Sequence, residues 1–149
     1  MRFMMLMIPG GYETAAPGTV PDDVERVAAM MAYNKALMDA GVLITCDGLH
    51  PPSMGARVSF PSGKPVVTDG PFAESKEVLG GYWMIDVASR DEAIAWASRC
   101  PATANEVIEI RQVHEMEDYP EDVQVVASGF EDMQTTARRL GEAKSLRGA

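Results

Sequence analysis

The segment Arg2-Phe3-Met4-Met5-Leu6-Met7-Ile8 constrains the fold more than any other in the chain, because it is apolar at every position after the arginine. Side chains of a strand alternate between two faces, so a run without alternation needs cover on both faces and belongs at the centre of a sheet. The run is also shorter than the roughly 7 to 15 apolar residues of a signal-peptide core, and a buried strand is the expectation here. No stretch approaches the roughly 20 apolar residues of a membrane span. The expected setting is the cytoplasm, with no membrane partner.

After a loop over residues 9 to 20, rich in Gly, Pro and Thr, Pro21-Asp22-Asp23 opens a helix with acidic groups at the positive end of its dipole, and Gly41 ends it. Val24, Val27, Ala28, Met31 and Met38 predict its packed face, widened by Met30, Tyr33 and Leu37. Val42 to Thr45 reads as a second strand, followed by the irregular Cys46-Asp47-Gly48-Leu49-His50-Pro51-Pro52. Arg57 to Phe60 and Val66 to Thr68 read as a hairpin across Pro61-Ser62-Gly63-Lys64. Gly80 to Val87 alternates Trp83, Ile85 and Val87 against Tyr82, Met84 and Asp86, and is a further strand. Ser89 with Glu92 forms a capping box. The second helix carries Ala93, Trp96, Ala97 and Cys100 and closes at Pro101, ahead of a last strand over Val107 to Val113.

The order strand, helix, strand, hairpin, strand, helix, strand is an α+β plan, ferredoxin-like with an inserted hairpin and an antiparallel sheet. Helices cover one face of such a sheet. The apolar second face of the first strand predicts a face-to-face homodimer, the dimeric α-β barrel arrangement. The expected domain is 1–116. From 117 to 149 the composition turns polar and charged, a tail with a helix expected over Glu131 to Ala143.

Composition narrows the function. A chain of 149 residues buries about two thirds of its unfolded surface and needs no staples. Cys46 and Cys100 lie far apart and form no Cys-x-x-Cys pair, which predicts neither a disulfide scaffold nor a thiolate metal site. The formal charge of −9, with scattered Lys and Arg, predicts no nucleic-acid partner. His50 and His114 are the two histidines and are not clustered with carboxylates, so no metal is expected. The glycines at 10, 11, 80 and 81 form neither a phosphate loop nor a dinucleotide fingerprint, so no nucleotide cofactor is expected.

The chemistry-bearing feature is Asp69-Gly70-Pro71-Phe72, strong turn chemistry in which Asp caps its own backbone and Pro fixes the next φ. Asp69 follows a strand, from where its carboxylate can serve a cleft as general acid or base; the other reading is a turn cap. Glu74 and Lys76 add a second carboxylate and a cation able to orient an anionic group, or else form a solvated surface pair. His50, held between loop and consecutive prolines, is the best available proton shuttle, with an unperturbed pKa of about 6.5, or else an exposed loop histidine.

The stretch from Val66 to Tyr82, Val-Val-Thr-Asp-Gly-Pro-Phe-Ala-Glu-Ser-Lys-Glu-Val-Leu-Gly-Gly-Tyr, resembles the signature of the DGPF branch of the YCII-related family, and Ala40-Gly41-Val42-Leu43 with Asp47 to Pro52 extends the likeness over about residues 1 to 114. The resemblance implies a ferredoxin-like subunit that dimerises into an α-β barrel. It also implies small-molecule enzymology through a His and Asp pair, and genes of this branch neighbour those of alternative sigma factors. The turn acid falls on Asp69, whereas His50 stands where the branch carries other polar residues. The expected function is cofactor-independent proton transfer on a small carbonyl or phenolic compound, with Asp69 and His50 catalytic and Asp47, Glu74, Lys76 and Tyr82 binding substrate. The alternative is a non-catalytic ligand-binding or accessory protein of a sigma-factor pathway.

Overall fold

The structure is a computed structural model that describes residues 1–72 and 75–147. It divides into two compact units, Met1–Val113 and His114–Ala149. In the first, β1 (Arg2–Ile8), β2 (Leu43–Gly48), β5 (Gly81–Asp86) and β6 (Val107–Gln112) form one sheet in the order β2-β5-β1-β6. Every neighbouring pair in it is antiparallel. With α1 (Val24–Asp39) and α2 (Arg90–Ala97) as the crossovers, this is the ferredoxin-like topology. The inserted hairpin, β3 (Ala56–Ser59) and β4 (Val66–Asp69), is a separate two-stranded sheet.

β1 lies centrally, and its alternate residues Phe3, Met5 and Met7 are buried against the helices with Trp83, Ile85, Tyr33, Leu37 and Ala93. Their removal from water supplies about 1.5–3 kcal/mol per large side chain before the entropy of ordering them is counted. Met4 and Leu6 face the other way. Met4 stands between Met84 and Arg111, and Leu6 between Tyr82 and Glu109, so the second face has an apolar centre flanked by charge.

The α1 terminus follows the sequence closely. The Asp23 carboxylate accepts from the N–H groups of Glu25 and Arg26 at 3.0 and 3.2 Å, satisfying two donors that the first turn leaves free. The packed face differs from expectation. Val24 is 80% exposed, Met31 61% and Met38 59%, whereas Tyr33 and Leu37 are buried and Met30 packs beside them. Two polar anchors set this rotation: Trp83 Nε1 donates to Asn34 Oδ1 at 2.7 Å and Tyr33 OH donates to the Trp96 carbonyl at 2.9 Å. Both apolar stripes satisfy the helical period, and only the second lets these indole and phenol groups find partners.

α2 is capped as the sequence predicts, with Ser89 Oγ accepting from the Glu92 N–H at 3.1 Å, while Glu92 Oε2 accepts from the Ala88 N–H at 2.8 Å. In the second unit a 3-10 turn (Met116–Asp118) leads to α3 (Glu121–Val126) and α4 (Phe130–Arg147). α4 is longer than the helix expected from its narrow apolar stripe, and α3 was not expected.

Candidate functional site

The sheet of the first unit ends in a cleft. Where β1 runs out at Pro9 and Gly10, β2 runs out at Gly48, and β5 and β6 are entered past Gly80 and Glu106, the loops enclose a cavity of about 820 Å³. That lies within the roughly 300–1,000 Å³ of small-molecule sites. Gly80 is required here: a Cβ would fall 2.7 Å from Pro9 Cγ, so any larger residue pushes the two loops apart.

The polar groups of this cleft come from distant parts of the chain. Tyr12, on a 3-10 turn (Tyr12–Thr14), donates its hydroxyl to the Leu49 carbonyl at 2.7 Å, and burial raises its pKa. Arg26, from the first turn of α1, forms an ion pair with Glu106, whose side chain is only 6% exposed. Burial alone raises the Glu106 pKa. Hydrogen bonds from Thr103 and the Arg26 guanidinium outweigh that and hold the carboxyl below its ordinary range. Glu106 Oε2 also accepts from the Thr103 N–H at 2.7 Å. His50 completes the lining.

His50 also lines a second cavity of about 410 Å³, walled by Pro51, Met54, Arg57, Phe72, Val78 and Leu79. The conspicuous turn builds this wall. A Cβ on Gly70 would fall 1.7 Å from the Pro52 carbonyl oxygen, and the Gly70 N–H donates to the Gly55 carbonyl at 2.9 Å. The turn is therefore wedged against the 3-10 turn Pro52–Met54, which delivers Phe72 to the cavity. The Arg57 guanidinium lies 3.9 Å from the centre of the Phe72 ring and donates to Ser75 Oγ at 2.6 Å.

The sequence-predicted site residues fall in different places. His50 lies between the two cavities. Asp69 ends β4 opposite Ala56, is exposed and lines neither cavity. Tyr82 OH donates to Asp47 Oδ2 at 2.9 Å across the β2-β5 pair, on the sheet face away from the helices. That hydrogen bond, then burial, raises the Tyr82 pKa. Lys76 is exposed and lines neither cavity, and Glu74 lies outside the described residues. His114 is exposed in the second unit, with its ring 5.5 Å from that of Tyr119.

Tyr12, Arg26, Arg57 and Glu106 were not singled out by the sequence. Arg26 and Glu106 are 80 positions apart and pair only through the sheet topology, so no local spacing announces them. Burial first, and then Glu106, pushes the Cys100 thiol up to about 11, and burial with Asp47 raises that of Cys46. Neither is a thiolate nucleophile at neutral pH. Among the described residues no three His, Cys, Asp or Glu side chains gather as a metal site, and no helix is long and apolar enough to cross a membrane.

Fold and cleft together define a ferredoxin-like α+β domain with a ligand-sized opening at one end of its sheet. The chain belongs to the YCII-related domain family, whose model matches residues 1–117. An uncharacterized protein of Rhizobium meliloti (strain 1021) is 39% identical over 77 residues, 51% of this chain and 62% of that protein, so the match spans less than two thirds of the relative. Among solved structures, 5-chloro-2-hydroxyhydroquinone dehydrochlorinase from Burkholderia phenoliruptrix AC1100, in complex with 2,5-dihydroxybenzoquinone, is similar at a TM-score of 0.36 and 16% identity, covering 78% of this chain and 98% of that one. At that level the likeness fixes neither ligand nor assembly for this chain.

Proposed function

We propose that this protein, of the DGPF branch of its family, is a cytoplasmic, cofactor-independent enzyme that moves a proton on a small carbonyl or phenolic compound bound beside His50. The observation that carries the reading is the position of His50 in the lining of both cavities, with the Arg26–Glu106 ion pair also in the lining of the larger one. An imidazole titrates near neutral pH and can take a proton from an acidic C–H or O–H and return it. Asp69, the acid favoured by the resemblance, is the second candidate base. The ligand function is assigned to residues 1–116, with 117–149 an accessory segment. The working unit is a homodimer joined through the sheet face that carries Met4, Leu6 and Met84.

The test is a metabolite library screened for thermal stabilisation, followed by proton–deuterium exchange into each stabilising compound in D2O, for wild type, His50→Gln and Asp69→Asn. The proposal expects exchange catalysed by wild type and lost in His50→Gln while stabilisation persists. Exchange that survives in His50→Gln and disappears in Asp69→Asn moves the base to Asp69. Binding without exchange in wild type favours the rival reading, a ligand-binding or accessory protein of a sigma-factor pathway. One observation supports that rival: Arg26 and Glu106 already satisfy each other.

A further inference from the structure

The smaller cavity contains a cation fixed from two sides. One face of the Arg57 guanidinium is covered by the Phe72 ring at 3.9 Å, and one of its amino groups is spent on Ser75 Oγ at 2.6 Å. A guanidinium has five N–H donors in a planar fork, so edge donors are left over after this bond. Among the described residues no carboxylate pairs with Arg57. Stacking and the serine contact remove rotamer freedom from the arginine beforehand, which lowers what binding has to spend on ordering it. Apart from Glu77 and His50, the side chains of the rest of the wall are apolar, with buried Val78 and Pro51 beside Leu79 and Met54. His50 supplies a second nitrogen at the junction with the larger cavity.

We infer that this smaller cavity is an anion subsite, in which Arg57 holds the carboxylate of an apolar organic acid and places its body against Phe72 beside His50. The inference rests on the reading of the His50 clefts as a ligand site and adds the charge of the ligand. A planar carboxylate matches the guanidinium fork with two parallel hydrogen bonds. Glu77, exposed in the same lining, opposes a second negative charge and selects a monoanion over a phosphate dianion. The Asp-Gly-Pro-Phe turn thereby acquires a binding role through Phe72, independent of any chemistry at Asp69.

The test uses the full chain, benzoate, and its neutral isostere benzamide, with binding read from the His50 ring resonances in NMR titrations. His50 and His114 are the two histidines, so a His114→Gln protein assigns the signals. Benzoate is expected to shift the His50 signals to saturation, and benzamide to bind at least about tenfold more weakly, in line with a charge-assisted hydrogen bond. Arg57→Met loses the preference for benzoate, Arg57→Lys keeps the charge and loses part of it, and Glu77→Gln tightens benzoate. Equal binding of benzoate and benzamide overturns the inference while leaving the His50 clefts as a ligand site. Undiminished benzoate binding in a folded Arg57→Met, or no saturable benzoate shift in wild type, overturns it as well, and neither result touches the deuterium-exchange test of the proposed chemistry.

Discussion

Gly70→Ala is the substitution that bears most directly on the turn. The new Cβ would sit 1.7 Å from the Pro52 carbonyl oxygen and 2.6 Å from its carbon, both backbone atoms that no rotamer change can move. Carbon–oxygen contacts in proteins settle at about 3.3 Å or more, so the turn or the Pro52–Met54 segment must retreat by roughly 1.6 Å. That retreat breaks the Gly70–Gly55 hydrogen bond and unseats Phe72 from the cavity wall. Overpacking of this kind costs about 1–3 kcal/mol, and the upper end applies because main chain lies on both sides of the clash. With a urea slope of about 2 kcal/mol/M, the unfolding midpoint falls by about 1.5 M. Fluorescence of Trp83, buried in the core, reports the transition. Gly48→Ala is the control, since its methyl meets nothing within 4 Å, and its cost stays under about 0.5 kcal/mol. A Gly70→Ala protein with the wild-type midpoint, alongside a damaged Gly48→Ala, refutes the packing argument.

Leu37→Ala removes a side chain that is 0% exposed and is expected to lower stability by about 2–5 kcal/mol, whereas Met31→Ala, at an exposed position, changes it by less than about 0.5 kcal/mol; urea unfolding of the pair tests which stripe of α1 faces the core. Because Glu106 titrates below its ordinary value of 4.5 when folded, its ion pair contributes fully above that value and is lost as pH falls through the depressed one. Glu106→Gln is therefore expected to flatten the acid limb of stability against pH below about 4.5, measured by thermal unfolding from pH 7 to 3, and an unchanged limb contradicts the assignment. Leu6→Glu places charge at the centre of the sheet face away from the helices and is expected to convert a dimer into a monomer in light scattering; wild type already monomeric at micromolar concentration removes the proposed interface.

Much of the first unit was legible because its signals are local. A strand without alternation had to be central, and β1 lies between β5 and β6. Ser89 was legible as a helix cap, and the acidic start of α1 was legible too, where Asp23 proves to cap the first turn because its short side chain reaches free N–H groups two and three residues on. What misled was the choice between two stripes on α1, because periodicity says that a face packs without saying which one. That choice was made by Trp83 and Tyr33 seeking partners on other elements, Asn34 and the Trp96 carbonyl. The candidate site was less legible for the same reason. His50 was visible as a rare residue type held by prolines, but Arg26 with Glu106, and Arg57 with Phe72, are pairs made by topology.

The turn shows how a residue's chemistry and its packing can point in different directions. Read by functional group, Asp69-Gly70-Pro71-Phe72 draws attention to its carboxylate. Read by space, its most constrained member is Gly70, which has no room for a methyl group, and its most consequential member is Phe72, which forms cavity wall and arginine platform together. Asp69 is exposed at the end of β4 and lines neither cavity, so solvent screens its charge. A general base gains from partial enclosure, because a pKa near the working pH and a fixed distance to the substrate both depend on it. His50 lines both cavities, and the prolines that follow it restrict its backbone there. If proton transfer occurs here, the turn serves it as architecture, by seating Phe72 and through it Arg57, and the substitution with the larger effect on ligand affinity is Phe72→Leu, ahead of Asp69→Asn. The reverse order in benzoate titrations would return the chemistry to the carboxylate.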